Sequence, residues 1–213
     1  MKNEILKEIN TIVGKQLLNG GFKPNKALSL YKYNDNKYRV DFIFDIKNRQ
    51  DSCLQHIKFE FTNKALEKVF KEFDNKLRVK NEGEPLSFNR PSLEITDWKI
   101  ILKKHNLVIN DFWFHHFDSL NAMKQSEKKY IQFSDLVIKL KKELQNTELL
   151  KEYLLDNDNE YHLSQYLCLA YINTENLEEA YQKVKEISKD YLDHLKQDLK
   201  DFYELLEEAK ATV

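Results

Sequence analysis

Three acidic side chains and one lysine have the types and spacing that could do chemistry. Asp41, Asp45 and Glu60, with Lys47, fall at alternate positions of two neighbouring extended segments. Asp45-Ile46-Lys47 has the form of the (D/E)xK end of a divalent-metal nuclease site. In such sites carboxylates hold Mg²⁺ and the lysine supports the attacking water. Arg39, His56 and Lys58 share the same polar face, and Glu8 on the first helix is a further ligand of the right type. The spacing from Asp41 is short for the usual arrangement. Ordinary cross-strand charge pairs on a solvated face account for the same residues.

The other chemical constellations are weaker. In Asp111-Phe112-Trp113-Phe114-His115-His116-Phe117-Asp118, Asp111 and His115 are one helical turn apart, and His105 could approach them. A catalytic zinc wants three protein ligands, so the segment reads better as an aromatic core helix with histidines at its margin. No glycine-flanked nucleophile turn accompanies any Ser-His-Asp or Cys-His set. Cys53 reads as a loop cysteine and Cys168 as a buried helical one, neither in an activating context. Tyr31, Lys32, Tyr33, Lys37, Tyr38 and Arg39 interleave rings and cations as a base-stacking hairpin could. The rings at 38, 42 and 44 share one parity, however, which assigns them to a core.

Charge points to a protein partner instead. Residues 1–118 carry 21 basic and 16 acidic side chains, whereas residues 156–213 carry 6 and 14. Glu175, Glu178, Glu179, Asp190 and Asp193 lie in that acidic segment, and such a surface steers a basic partner toward itself. The expectation is a cytoplasmic protein-interaction module, with a metal-dependent phosphodiesterase using Asp41, Asp45, Lys47 and Glu60 as the alternative. No cofactor is expected, and the sequence does not set the oligomeric state.

The totals exclude several classes. The formal net charge of −1 gives no basic field for nucleic acid. Lysine outnumbers arginine 30 to 4, which disfavours bidentate phosphate and guanine contacts. Two cysteines make no disulfide framework and fit a reducing compartment. The charged N-terminus lacks a signal-peptide apolar region, and no apolar run reaches the length of about 18 residues that a membrane helix needs. Four glycines leave no phosphate-cradling loop.

The elements expected to position these residues make an α+β fold. Ile5, Leu6, Ile9, Ile12, Val13 and Leu17 recur on one face of a helix over 3–19, ended by Gly20-Gly21. Segments 27–34 and 37–46 read as a hairpin turning at Asp35-Asn36, with Tyr38, Val40, Phe42, Phe44 and Ile46 on its apolar face. A third strand covers 54–61. A short helix over 63–74, a loop over 80–91 and a strand at 93–95 complete an α+β domain of residues 1–95. Its sheet has three or four antiparallel strands and is covered by the first helix. From Thr96 to the end, residues 96–213 read as helical: a helix capped at Thr96 or Asp97, an aromatic helix over 111–118, a helix over 135–145 capped by Ser134, a segment over 147–155, and a final hairpin of two helices, 160–172 and 175–210.

The opening helix ending in Gly21-Phe22-Lys23, the Tyr31…Tyr33…Tyr38 hairpin, the strand at 55–61, the Trp98 segment and the Ala170/Ala180 pair together resemble an uncharacterised bacterial family of small α+β domains of unknown function. Some domains of that kind are immunity proteins against secreted toxins, so the resemblance implies binding and supplies no catalytic residues. The stretch from Leu163 to Ile187 resembles a single tetratricopeptide-like unit, short of the roughly three repeats that a stable array needs.

Overall fold

The computed structural model describes residues 2–65, 67, 68, 71, 75, 92–96, 98–109 and 112–156. In chain order the helices are α1 (Lys2–Asn19), α2 (Lys99–Lys104), α3 (Leu120–Lys124), α4 (Glu127–Leu144) and α5 (Thr147–Asp156). The strands are β1 (Lys23–Pro24), β2 (Leu30–Asn34), β3 (Tyr38–Asn48), β4 (Cys53–Asn63), β5 (Leu93–Ile95) and β6 (Phe114–Phe117). The chain divides into two compact units interleaved in sequence, 1–61 with 94–145 and 62–93 with 146–213. The change from strand-rich to helix-rich sequence at 95/96 runs close to one of these boundaries and leaves α2, α3 and α4 in the first unit.

α1 forms because its apolar residues repeat at helical spacing, and Ile5, Leu6, Ile9, Val13 and Leu17 are all buried. It ends where the Gly21 backbone turns left-handed, at φ +85°. Phe22 N–H then donates to Leu17 O and Gly21 N–H to Leu18 O, both at 2.9 Å, closing the helix with a paired C-terminal motif. A side chain at Gly21 would be strained in this conformation.

The hairpin forms as its pattern predicts. Tyr31 pairs with Phe42 and Tyr33 with Val40, so the β2 and β3 rings face the same side. Asp35 holds the turn by accepting from the backbone N–H groups of Lys37 and Tyr38, each at 2.7 Å. Val40, Phe42, Phe44 and Ile46 are buried, as are Ile57, Phe59 and Phe61 of β4. α1 packs on β3 and against α4. The core therefore lies between one sheet face and this helix pair. The opposite face of β3 is half-buried at 39, 41, 43 and 45 rather than fully wet.

The sheet has six strands among the described residues, two or three more than the sequence suggests, in the order β1-β2-β3-β4-β5, with β6 also paired to β4. The extra strand corrects the reading of 111–118 as a helix. Residues Phe114–Phe117 are extended and run antiparallel to β4, pairing Cys53 with Phe117 and His56 with Phe114. The physical reason is the open edge of β4. Cys53, Leu54 and Gln55 are buried, and their backbone polar groups need partners that only another strand supplies. Cys53 is accordingly a buried strand residue, not a loop one. Ser134 is likewise no cap: it lies inside α4, which begins at Glu127, and its hydroxyl donates to Ile131 O at 2.8 Å. Trp98, rather than Thr96 or Asp97, occupies the N-cap position of α2. Half of the expected helix over 63–74 falls outside the described residues, and the loop over 80–91 and the hairpin over 160–210 fall wholly outside them.

Aromatic rings fill the core. Trp98 packs edge-on against Phe133 at 5.0 Å, and Phe112 against Tyr130 at 4.7 Å. One polar side chain, Gln55, sits fully buried among them. Its amide donates to Phe112 O at 2.9 Å, and its carbonyl oxygen accepts from Tyr130 Oη. Burial pushes the Tyr130 hydroxyl well above its ordinary value, so it remains a donor. Gln55→Leu strands both Phe112 O and the Tyr130 hydroxyl. The expected cost is about 2 kcal/mol by urea denaturation, partly recovered in the double variant with Tyr130→Phe.

Candidate functional site

The structure does not gather the sequence-expected metal set. Asp41 and Asp45 occupy one face of β3 four residues apart, a Cα separation of about 13 Å along an extended strand. Two aspartates rooted that far apart do not reach one ion that takes oxygen ligands at about 2–2.6 Å. Asp45 pairs instead with Lys47 of its own strand at 3.6 Å. Among the described residues no group of three His, Cys, Asp or Glu side chains is arranged to hold a metal ion. Asp41, Asp45 and Glu60 form no such group.

The histidines are dispersed as well. His115 is on β6, its ring 4.9 Å from that of Phe117 and 6.4 Å from that of Phe112. Burial, then Lys129 and His116, push its pKa down. His105 follows α2 and lies between Glu143, at 3.2 Å, and Lys139, at 3.1 Å. Burial depresses its pKa against the upward pull of Glu143. Asp111, the expected partner of His115, lies outside the described residues. So do Cys168 and the acidic candidates Glu175, Glu178, Glu179, Asp190 and Asp193. The base-stacking reading of the hairpin loses its rings. Tyr31 is fully buried and donates to Asn10 at 2.8 Å, while Tyr33 lies beneath a lysine.

That lysine marks a site the sequence reading missed. An open groove of about 760 Å³ runs where α1 ends beside α4, lined by Lys15, Gln16, Gly20, Tyr33, Lys141 and Lys142 among others. Lys141 is only 7% exposed. Its Nζ donates to Gly20 O at 2.6 Å and stands 3.9 Å from the centre of the Tyr33 ring and 5.4 Å from that of Phe22. A carbonyl at a helix C-terminus and the faces of two rings are favourable partners for a cation. Neither is a full negative charge. Burial, and then Lys142, push the Lys141 pKa below its ordinary value, with Asp35 pulling the other way. The signal was present in the sequence: within the α4 stripe of Tyr130, Phe133, Val137, Leu140 and Leu144, position 141 falls one turn after Val137 and holds a lysine.

A second, apolar groove of about 550 Å³ lies beside α2. Buried Leu102, Ile109 and Trp113 form its floor, and exposed Lys99 and Lys103 its rim. Val108 stands at its edge, 89% exposed. The backbone reaches this position through Asn106, which adopts a left-handed conformation at φ +54°.

Comparison with known proteins found no match to any protein-family model, to any curated protein or to any solved structure. Among the described residues no helix is long and apolar enough to cross a membrane.

The folded-state pKa of Lys141 lies below the 10.5 of an ordinary lysine. Between those two values the unfolded chain holds more protons, so stability from this group rises with pH across that interval. Lys141→Met removes the alkaline gain. Denaturation midpoints measured from neutral pH upward are expected to rise in the native chain relative to the variant; parallel curves would refute the assignment.

Proposed function

We propose that this chain is a protein-interaction module, of the immunity-like or adaptor kind that its residue pattern resembles. The observation that carries this reading is the α2 groove. Val108, almost wholly in solvent, stands beside a floor made of Leu102, Ile109 and Trp113. Val108 is the most exposed large apolar side chain among the described residues, and it stands beside a concave apolar floor that a partner's side chain can fill. The lysine rim sets the partner's chemistry here: an apolar side chain flanked by aspartate or glutamate. Rim charges of this kind act chiefly on association rate and selectivity.

A second contact, to a basic partner, rests on the sequence. Residues 156–213 hold 14 acidic and 6 basic side chains, Glu175, Glu178, Glu179, Asp190 and Asp193 among them. The lysine-rimmed groove and the acidic stretch of sequence have opposite charge and so select different partners, or different parts of one partner.

A photo-crosslinking residue in place of Val108 or Glu178 in the full chain, expressed in its host, separates the two contacts. Position 108 is expected to yield an adduct whose crosslinked peptide is acidic, and position 178 one whose peptide is basic. The purified partner should then bind the purified chain more weakly as salt rises. Val108→Asp is expected to weaken the first contact about tenfold or more while leaving stability within about 0.5 kcal/mol. Retained affinity in that variant removes the groove as the contact surface, and adducts at neither position remove the interaction reading.

A further inference from the structure

We propose that the groove between the end of α1 and α4 is a binding site for a phosphate-bearing small anion. Three ammonium groups line it, those of Lys15, Lys141 and Lys142, and no carboxylate lines it. None of the three forms an ion pair with a carboxylate among the described residues. Lysines on an ordinary folded surface are interspersed with acids, because like charges brought together repel. Here two acids bond to residues of the groove, yet both are committed elsewhere. Asp135 accepts from the Gln16 amide. Asp35 accepts from the Tyr33 hydroxyl and from two backbone N–H groups of its turn.

The three lysines divide into two roles. Lys141 is fixed: it neutralises the C-terminal carbonyl of Gly20, which would otherwise present partial negative charge to the groove and oppose an anion. Its positive charge is offset only in part, by Asp35 acting without a direct ion pair, because a carbonyl and two ring faces carry no net charge. Lys15 and Lys142 have no such structural partner, and their side chains can fold onto a ligand. The groove volume suits a ligand from inorganic phosphate up to nucleotide size. An ammonium donates strongly to phosphate oxygens as a point charge, which matches a site built of lysines rather than arginines. A bound dianion would remove the repulsion between Lys141 and Lys142 and raise the proton affinity of Lys141. Binding and the Lys141 titration are therefore linked.

The probe is pyrophosphate, titrated into the full chain by calorimetry at low ionic strength, with amide chemical shifts locating the site. Saturable one-to-one binding is expected, with shifts centred on Gly20, Gly21 and the last turn of α4. The double variant Lys15→Gln, Lys142→Gln should fold as the native chain does and bind about tenfold more weakly. The control Lys99→Gln, Lys103→Gln, which removes two lysines from the other groove, should bind as the native chain does. Vesicles containing phosphatidic acid form a second arm: capture by vesicles without pyrophosphate binding identifies a lipid headgroup as the source of the same phosphate chemistry. The proposal falls if neither arm binds, or if the control loses as much affinity as the groove variant.

Discussion

The far edge of β4 is the constraint on which the rest of the first unit depends. β3 occupies one edge of that strand, and its residues from Cys53 to Phe61 are buried apart from alternate half-buried positions. An unpaired edge at such a place costs a hydrogen bond at every second residue. The chain meets this demand with a segment about 60 residues further on. β6 pairs with Cys53–His56, the Ile57 N–H donates to Trp113 O at 2.7 Å, and the Trp98 indole donates to Ile57 O at 2.9 Å. Gln55 extends the same logic into the core by tying Phe112 O to Tyr130. Once these bonds are made, α2 and α4 belong with the opening sheet in the first unit.

Both grooves are by-products of this arrangement. Drawing 112–117 onto β4 leaves the connection from α2 to β6 to turn at Asn106, and that turn brings Val108 into solvent beside Ile109 and Trp113. Laying α4 against α1 brings position 141 to the Gly20 turn. Lys141 then takes a position that an apolar residue would occupy in a plain helix pair. A buried cation without a directly paired counter-ion lowers stability, and this one is held by a carbonyl and two rings, with Asp35 acting on it without an ion pair. Such a group is a poor choice for stability alone, which is why the groove around it reads as a place where an anion completes the structure.

The acidic face of the sheet shows the opposite lesson. Alternate positions on a strand share a face, so Asp41, Asp45 and Glu60 look collected when written as a sequence. Sharing a face is weaker than sharing a point. Along an extended strand each alternate step adds roughly 6–7 Å, and metal-binding carboxylates must converge from different elements to overcome that distance. Here they come from neighbouring strands of one sheet and form no metal-holding group, and Asp45 is taken by Lys47.

Local pattern determined α1 and its glycine stop, the β2–β3 hairpin with its turn at Asp35, the inward parity of Val40, Phe42, Phe44 and Ile46, and the strand at 93–95. These elements are set by neighbours within a few residues, where propensity and periodicity act directly. Tertiary structure decided the rest. Phe114-His115-His116-Phe117 carries the residues of either an aromatic helix or a strand, and only the vacant edge of β4 selects the strand. Ser134 has the chemistry of a cap, yet α4 runs through it because Tyr130 and Phe133, on the turn before it, are needed in the core. Lys141 looks like one more lysine among 30, and its role exists only where α4 meets the end of α1, more than a hundred residues earlier in the chain. Pairings over such distances depend on which surfaces remain uncovered after the local elements form, and no window of sequence contains that information.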